Sequence, residues 1–407
     1  MKVIDGGVNA PIGFLAAGVE AGIRYENRKD MAIVYSEAPC VLAGTFTTNV
    51  VKAAPVKWDM DIVNNSPYGR AVIVNTGIAN AGTGSEGMKY CELTAKEAAK
   101  QLDIPENSVL VGSTGVIGEQ LPIDKIVAGI AKLKDAKSHD KEAGTLASKA
   151  IMTTDTVNKE MAVSIEVDGV TVTIGSMAKG SGMIHPNMCT MLSYVTTDAV
   201  ISKETLTKLL KEDVKDTFNM ISVDGDTSTN DTLLVLANGM AGNAEIKEGT
   251  QAYEDFKEAL HYVNETQAKR LAGDGEGAKA LIECKVINAD TKENARILAR
   301  SVISSSLTKA AVFGHDANWG RPLCALGYSG VEFNPEKMDL YIQSETNSIL
   351  IYSDGAGQKY SEEEATEIFS QEEVRFLMDM KMGNENATAW GCDLTYDYVK
   401  INGDYRS

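Results

Sequence analysis

Apolar residues recur every three or four positions in three segments of the chain, which is the spacing of one face of an α-helix. This spacing predicts three helices, marked by Leu206, Leu210, Val214 and Phe218 behind a cap at Ser202, by Tyr253, Phe256, Leu260 and Val263, and by a start near Thr291 that runs past Ile303.

Alternation of apolar and polar residues, the period of a strand, is clearest on both sides of Asp168-Gly169. Residues 163–167 and 170–174 alternate, and Asp-Gly between them predicts a tight antiparallel hairpin, because both turn residues tolerate a positive φ. Further strands are predicted at residues 71–75, 232–237, 281–287 and 348–353. Helical and strand patterns interleave without a flexible linker, which predicts an α/β fold, and the hairpin favours mixed sheets over a purely parallel one.

Net charge indicates which partners are unfavourable, and cysteine usage indicates the cellular compartment. The 407 residues include 39 Lys and Arg against 57 Asp and Glu, a formal charge of −18. Such a surface repels phosphate backbones and anionic membranes, so we expect neither nucleic acid nor a membrane as a partner. The chain starts without a basic segment followed by a long apolar run, and its six scattered cysteines form no CxxC pair. These features predict a cytoplasmic protein with reduced thiols.

The most unusual segment is the glycine-rich run at residues 177–192, Met-Ala-Lys-Gly-Ser-Gly-Met-Ile-His-Pro-Asn-Met-Cys-Thr-Met-Leu. It follows a predicted strand and leads into an apolar run, and catalytic groups concentrate in loops held in this way. Thr190 lies where the loop enters the apolar run. Taken alone, that position is more typical of the first residue of a buried strand than of a catalytic residue.

The chemistry that would suit Thr190 is nucleophilic catalysis by a chain-terminal threonine, because a threonine hydroxyl needs an adjacent base. If the bond between Cys189 and Thr190 is cut, the new α-amine lies within reach of its own hydroxyl. An α-amine has a pKa of about 7.7–8.0, which suits a general base at neutral pH. The same hydroxyl would cut the chain by attacking the Cys189 carbonyl and forming an ester that water opens.

A series of motifs along essentially the whole chain resembles the ornithine acetyltransferase family, whose members are also called glutamate N-acetyltransferases. Residues 179–184 followed by 186–192 are similar to the cleavage segment of that family. The other similar motifs are residues 11–18, 44–49, 53–56, 75–84, 113–119, 152–156, 224–231, 273–277, 387–390, 392–394, 396–402 and 404–407. So many motifs in one order make the resemblance specific.

The resemblance implies self-cleavage between Cys189 and Thr190, giving an alpha chain of residues 1–189 and a beta chain of residues 190–407. It implies acetyl transfer from N2-acetyl-L-ornithine to L-glutamate through an acetyl-Thr190 intermediate, a step of cyclic arginine biosynthesis. Some members also use acetyl-CoA as donor, and none needs a metal or a bound cofactor. The family fold is a layered α-β-β-α sandwich, in which the two chains form one intertwined unit that assembles as a heterotetramer of two alpha and two beta chains.

The resemblance also implies roles for individual residues. Thr114 and Gly115 match the oxyanion hole of the family, although Ser-Thr-Gly by itself is typical of an ordinary turn. The positions that match substrate contacts are Thr153, Lys179, Thr190, Glu276, Asn402 and Ser407. The chain departs from the family at Cys189, where alanine is usual, so the resemblance leaves the rate of cleavage open.

Two other classes of function remain compatible with the sequence. An N-terminal-nucleophile amidohydrolase or aminopeptidase would use the same threonine with water as the acceptor, and a non-catalytic binding protein would keep an intact chain. The glycine-rich run at residues 273–277 superficially resembles a nucleotide-binding loop. A helix is predicted to end before it and a strand to follow it, which reverses the order that such a loop requires.

Overall fold

The computed structural model describes residues 1–185 and 191–404. The chain divides into two compact units, each made of several segments. Within the described residues, unit 1 comprises 1–180, 191–215 and 227–267, and unit 2 comprises 181–185, 216–226 and 268–404. Neither unit is therefore one continuous stretch of the chain.

In the described residues, the strands are β1 (Lys2–Ile4), β2 (Phe14–Val19), β3 (Met31–Phe46), β4 (Gly69–Ile78), β5 (Val109–Val116), β6 (Lys159–Val167), β7 (Val170–Lys179), β8 (Leu192–Thr197), β9 (Ile221–Ser222), β10 (Thr232–Ala237), β11 (Leu281–Ala289), β12 (Asp339–Gln343), β13 (Ser348–Ser353), β14 (Ala356–Gly357), β15 (Glu373–Asp379) and β16 (Glu385–Cys392). The α-helices are α1 (Ala54–Asn65), α2 (Gly84–Leu102), α3 (Ile123–Ala136), α4 (Lys141–Ala150), α5 (Lys203–Asp213), α6 (Gln251–Gly273), α7 (Lys292–Ser304), α8 (Ser306–Phe313), α9 (Gly320–Gly327), α10 (Glu362–Phe369) and α11 (Tyr396–Gly403). The four strands predicted outside the hairpin are confirmed as parts or the whole of β4, β10, β11 and β13.

Unit 1 is built on a nine-stranded sheet in the order β1-β6-β7-β8-β10-β3-β4-β5, with β2 paired to β3. The pairs β8–β10 and β4–β5 are parallel. The other neighbouring strands are antiparallel. This sheet is therefore mixed, as the sequence predicts.

Both faces of β4 in the unit 1 sheet are buried, which explains the nearly continuous apolar run of this strand. Val72 and Val74 pack in a core cluster with Ala147 of α4, whereas Ile73 belongs to a second cluster with Ile126 of α3. Alternate residues of a strand point to opposite faces, so each face has its own core. Burying one such side chain stabilises the fold by about 1.5–3 kcal/mol.

Local signals in the sequence are confirmed where they depend on turn and cap chemistry. Asp168 and Gly169 have φ values of 51° and 84°, and Val167 pairs with Val170 across the turn. The side chains of Ser202 and Thr291 accept hydrogen bonds from backbone N–H groups at the starts of α5 and α7. Both caps satisfy a donor that a helix start would otherwise leave unpaired.

The predicted length of α5 is wrong at its C-terminal end. The helix ends at Asp213, and Phe218 lies in a separate 3₁₀ turn. Thr217 breaks the helical path, with φ −120° and ψ −98°, and threonine and aspartate are poor helix formers. Val214 and Phe218 are both fully buried, so the apolar spacing marked buried positions but not one continuous helix.

Unit 2 is built on a seven-stranded sheet in the order β14-β13-β12-β15-β11-β16-β9. β11 is parallel to β15 and antiparallel to β16. Ile282 and Cys284 are fully buried, and α7 packs on β11 and β16. On the opposite face of β11, Glu283 accepts hydrogen bonds from Arg375 Nε and Trp390 Nε1. The second sheet is also mixed, which confirms the α/β class with mixed sheets.

Three further features of the described part of the chain bear on function. None of its helices is long and apolar enough to cross a membrane. Its His, Cys, Asp and Glu residues form no group of three or more that could hold a metal ion. The five cysteines that it includes are free.

Candidate active site

The predicted site residues fall into three groups. Unit 1 holds Thr114, Gly115, Thr153 and Lys179, and unit 2 holds Glu276 and Asn402. Cys189, Thr190 and Ser407 lie outside the described residues. The chemical roles of all nine stay predictions, while the surroundings of the first six can be described.

Thr114 and Gly115 lie near the end of strand β5, not in an ordinary turn. They pair with Thr76 and Gly77 of β4, after which the register slips at Ile78. Gly115 has φ +132°, and a Cβ added to it would lie 2.3 Å from the carbonyl carbon of Gly77. Only glycine fits this conformation and this close approach of two backbones.

Lys179, the last residue of β7, brings its ammonium group to Thr114. Lys179 is only 8% exposed, and its Nζ donates to Thr114 Oγ1 at 3.2 Å. Because an ammonium group has donors only, the threonine oxygen accepts, and the hydroxyl hydrogen remains available for another acceptor. The contact joins a predicted oxyanion-hole residue to a predicted substrate-binding residue.

A buried polar network fixes the backbone around this pair. Asn230 Nδ2 donates to the carbonyl oxygens of Ala79 and Ser113 at 2.6 and 2.8 Å. Ser113 Oγ donates to Asn75 Oδ1 at 2.6 Å, and Asn75 Nδ2 donates to Ile78 O at 2.9 Å. Hydrogen bonds are stronger in a low dielectric, so this network holds β4 and β5 together where the oxyanion donors are carried.

We expect Asn230→Ala to lower the free energy of unfolding by about 2–4 kcal/mol, because two buried carbonyl groups lose their donor. Urea unfolding of the purified protein measures the effect. Asn65→Ala is the matched control, since Asn65 is exposed and its amide donates to the Asp61 side chain at the surface. The control should change stability by no more than about 0.5 kcal/mol. Equal stability of the two variants would mean that the network contributes little.

Asp155 connects the loop that carries Thr153 to the end of β7. Its Oδ1 accepts from Lys159 Nζ at 2.8 Å and from Gly180 N at 2.7 Å, and its Oδ2 accepts from Thr153 N at 3.1 Å. Burial raises the pKa of Asp155, but the ammonium groups of Lys179 and Lys159 and the hydrogen bonds outweigh burial and lower the pKa to about 2. The carboxylate is therefore ionised at any pH near neutrality.

A cavity of about 460 Å³ opens beside the same loop, between α4 and β6. Arg28, Lys149 and Thr153 are among the residues that line it. Arg28 Nη2 donates to the carbonyl oxygens of Met152 and Thr153 at 2.5 and 3.0 Å. The cationic side chains of Arg28 and Lys149 suit an anionic group such as a carboxylate, while the ionised Asp155 also lines the cavity, so its wall carries charges of both signs.

Glu276 is held in unit 2 against the segment at residues 181–185. Its backbone N donates to Ser181 O at 2.9 Å. A Cβ added to Gly182 would lie 2.4 Å from the carboxyl carbon of Glu276, so the side chain packs directly over that glycine. Asn402 Nδ2 donates to Glu276 Oε2 at 2.7 Å. The structure therefore brings together two residues that the sequence predicts to bind substrate.

The glycine-rich run at residues 273–277 connects the end of α6 to β11, in the order helix then strand. A Cβ added to Gly277, which has φ +71°, would lie 2.7 Å from Tyr398 N. This close approach lets Thr395 Oγ1 donate to Gly277 O at 2.8 Å while Thr395 also caps α11. The order and the contacts are those of a helix end packed on another helix, not of a dinucleotide-binding loop.

Charged side chains of unit 2 bind residues 183–185, which precede the predicted cleavage bond. Asp224 accepts from the backbone N of Met183 at 2.6 Å and of Ile184 at 2.8 Å. Arg300 Nη2 lies 3.2 Å from His185 Nε2. Burial, and then the charge of Arg300, lower the pKa of His185, so its ring is uncharged at neutral pH.

Sequence reasoning missed Asp155, Lys159 and Asn230. Asp155 and Asn230 lie inside two of the motifs that carry the family resemblance, but neither residue type indicated a role. Their partners are distant: Asp155 accepts from a residue 25 positions away, and Asn230 donates to one 117 positions away. In the sequence, only the family motifs indicate Asp155 and Asn230, and they give no chemical reason for either residue.

Comparison with known proteins gives an independent assignment. The model of the ArgJ family matches residues 15–407. The arginine biosynthesis bifunctional protein ArgJ of Thermotoga neapolitana is 50% identical over 398 residues, which cover 98% of this chain and 99% of that protein. The protein of the same name from Caldanaerobacter subterraneus subsp. tengcongensis is 49% identical over 407 residues, 100% of each chain.

A solved structure agrees with these relatives. The crystal structure of arginine biosynthesis bifunctional protein ArgJ from Bacillus halodurans shares 43% sequence identity and a TM-score of 0.50. The match covers 52% of this chain and 97% of that chain. Together with full-length relatives at about half identity, it confirms the family resemblance inferred from the sequence motifs. The chain belongs to the ArgJ family.

Proposed function

We propose that this chain transfers an acetyl group from N2-acetyl-L-ornithine to L-glutamate, and that Thr190 carries the group between them. As a member of the ArgJ family, the chain is an enzyme of arginine biosynthesis. The observation that carries the proposal is the contact between Lys179 Nζ and Thr114 Oγ1 next to Gly115. It leaves the Thr114 hydroxyl hydrogen available as one donor to an acyl-transfer oxyanion, and the Gly115 N–H is the second donor that the family resemblance implies.

In the first half-reaction, Thr190 Oγ attacks the acetyl carbonyl carbon of N2-acetylornithine, and the Thr190 α-amine takes the hydroxyl proton. The carbonyl oxygen becomes an oxyanion that accepts hydrogen bonds from Thr114 Oγ1 and Gly115 N. The carbon–nitrogen bond then breaks, ornithine leaves with the proton on its amine, and the acetyl group remains as an ester on Thr190.

In the second half-reaction, the α-amine of glutamate attacks the ester carbonyl and passes a proton to the Thr190 α-amine. The same two donors hold the oxyanion. The ester carbon–oxygen bond breaks, the proton returns to Thr190 Oγ, and N-acetyl-L-glutamate leaves. Because ornithine departs before glutamate enters, we expect parallel lines in double-reciprocal plots, the pattern of a ping-pong mechanism.

The proposed roles of the remaining residues follow substrate charge. Lys179 and Thr153 bind the carboxylate side of the amino-acid substrate. Arg28 and Lys149 place positive charge in the cavity that Thr153 also lines. Glu276 attracts the ammonium groups, with Asn402 fixing one of its carboxylate oxygens. Ser407 is proposed to contact substrate on the resemblance alone.

Maturation and assembly complete the proposal. Thr190 Oγ attacks the Cys189 carbonyl, the peptide nitrogen is displaced to give an ester, and water hydrolyses that ester into chains 1–189 and 190–407. The two chains stay together, assemble as a heterotetramer of two alpha and two beta chains, and work in the cytoplasm. No metal or bound cofactor takes part, and acetyl-CoA is proposed as a second donor to glutamate.

Intact-mass measurement under denaturing conditions tests the nucleophile and the donor together. Purified protein is exposed briefly to N2-acetylornithine without glutamate. Two chains that meet at the Cys189–Thr190 bond, with one acetyl group on the chain that starts at Thr190, would support the proposal. Cys189→Ala is the matched variant, because it restores the residue usual in the family. One uncut chain in both proteins would contradict self-cleavage, and an uncut chain in the natural protein alone would assign the block to Cys189.

The rival functions predict different products from the same incubation. An amidohydrolase would release acetate steadily without glutamate, whereas the proposed transferase acetylates Thr190 once and then waits for the acceptor. A binding protein would keep one unmodified chain. Steady acetate release that glutamate does not suppress would favour the hydrolase.

A further inference from the structure

We propose that Asp155 is a positioning residue for acetyl transfer, which holds Lys179 in place so that Thr114 presents its hydroxyl hydrogen to the oxyanion. This inference rests on the proposed acetyl transfer and adds a residue to which the family motifs assign no role. The groups that it connects all lie in unit 1: the loop at Thr153, the end of β7, and the end of β5.

The geometry places the carboxylate of Asp155 at the end of β7. One of its oxygens accepts from Gly180 N at 2.7 Å, so the backbone directly after Lys179 is fixed. Of the charged neighbours, Lys179 has the largest effect on the pKa of Asp155, and Lys159 follows. The carboxylate therefore attracts the Lys179 ammonium group and also holds the backbone N–H of the next residue, Gly180.

The orientation of Thr114 depends on that ammonium group. A threonine hydroxyl rotates freely unless a neighbour fixes it, and it can donate or accept. Lys179 Nζ, 3.2 Å away, forces Thr114 Oγ1 to accept, which directs the hydroxyl hydrogen away from the lysine. Without the Asp155 carboxylate, the backbone directly after Lys179 would lose its hydrogen bond and the ammonium group would lose a nearby opposite charge. Part of the population would then present Thr114 in the wrong orientation when the oxyanion forms.

A simpler role for Asp155 must be separated from this one. Asp155 also pairs with Lys159, and both side chains are fully buried. Removing one partner of a buried ion pair leaves an uncompensated charge and typically costs about 3–5 kcal/mol, whereas replacing both with uncharged residues is often neutral. Asp155→Asn alone would therefore lose activity under either account, simply by unfolding.

The test compares Lys159→Met with the double variant Asp155→Asn/Lys159→Met. Both remove the buried ammonium group of Lys159, but only the double variant also removes the carboxylate. The readouts are urea unfolding and the rate of Thr190 acetylation by saturating N2-acetylornithine, followed by intact mass in a single turnover. We expect the double variant to be more stable than Asp155→Asn alone, since it leaves one buried ammonium group without the carboxylate instead of two. We expect it to acetylate Thr190 about 10–10²-fold more slowly, which is less than the loss of a whole oxyanion donor. Lys159→Met should acetylate at close to the natural rate, because the Asp155 carboxylate keeps the positive charge of Lys179 and the hydrogen bond from Gly180 N.

The outcomes are distinct. A folded double variant that acetylates at the natural rate would reduce Asp155 to a counter-ion of Lys159, and so would equal slowing by Lys159→Met alone. If the double variant fails to fold, Asp155→Ser/Lys159→Met replaces it, because serine still offers an oxygen to Gly180 N. Absence of acetylation in the natural, cleaved protein would overturn the transfer proposal itself, and the inference with it.

Discussion

Thr190→Ala is expected to leave a single chain of 407 residues and to lower kcat for acetyl transfer by at least about 10³-fold. Alanine has no hydroxyl to attack either the Cys189 carbonyl or the acetyl group, so one substitution removes both reactions. Intact mass reports the cleavage, and formation of N-acetyl-L-glutamate from N2-acetylornithine reports the transfer.

Thr190→Ser is the matched control, because it keeps the hydroxyl and loses only a methyl group. We expect it to be cut into both chains and to retain measurable transfer. Cleavage or undiminished transfer in Thr190→Ala would place the nucleophile at another residue. Loss of both reactions in Thr190→Ser as well would mean that the methyl group, not only the hydroxyl, is needed to orient the residue.

Gly115→Ala is expected to lower kcat by about 10²–10³-fold, the effect of losing one oxyanion donor. The added Cβ would lie 2.3 Å from the Gly77 carbonyl carbon, so the backbone of β5 must move and its N–H with it. The positive φ adds about 1–3 kcal/mol of strain. Single-turnover acetylation of Thr190 measures the chemical step, and urea unfolding measures the strain.

Gly118→Ala separates the two effects. Gly118 also has a positive φ, +87°, but a Cβ added there meets no atom within 4 Å. This control carries the backbone strain without the collision, so it should lose stability but keep most of its acetylation rate. Equal loss of rate in both variants would show that strain in this part of the chain, and not the position of one N–H, limits the reaction.

The parts of the fold that the sequence predicts well are those set by neighbouring residues. The hairpin at Asp168-Gly169 and the caps at Ser202 and Thr291 depend on residues two or three positions apart. The end of α5 is predicted wrongly because Phe218 continues the apolar spacing of the helix. Phe218 is buried, but it lies in a 3₁₀ turn, since burial alone does not require a helix. Strand order was not readable, since it depends on pairings between distant segments.

The candidate site shows the same division. Its residues are predicted from the family motifs, because the residue types alone are compatible with several roles. Ser-Thr-Gly, for example, is also typical of an ordinary turn. Gly115 must be glycine because the backbone of another strand approaches it closely at Gly77, 38 positions earlier in the chain. Asp155 likewise gains its partner Gly180 only because the end of β7 lies beside the loop that precedes β6. Such contacts leave no local pattern.

The position of β8 in the sheet bears on the order in which the chain folds and is cut. β8 starts at Leu192, just after the proposed cut, and lies between β7 and β10 in the unit 1 sheet, while β10 in turn lies beside β3. After cleavage, two strands of the later chain would thus be enclosed by strands of the earlier one, joined by ladders on both sides. Neither product alone would contain all the strands of the sheet, so we expect the sheet to form before the bond is broken. Maturation would then be a one-way event, and separating the two chains would be the same process as unfolding them.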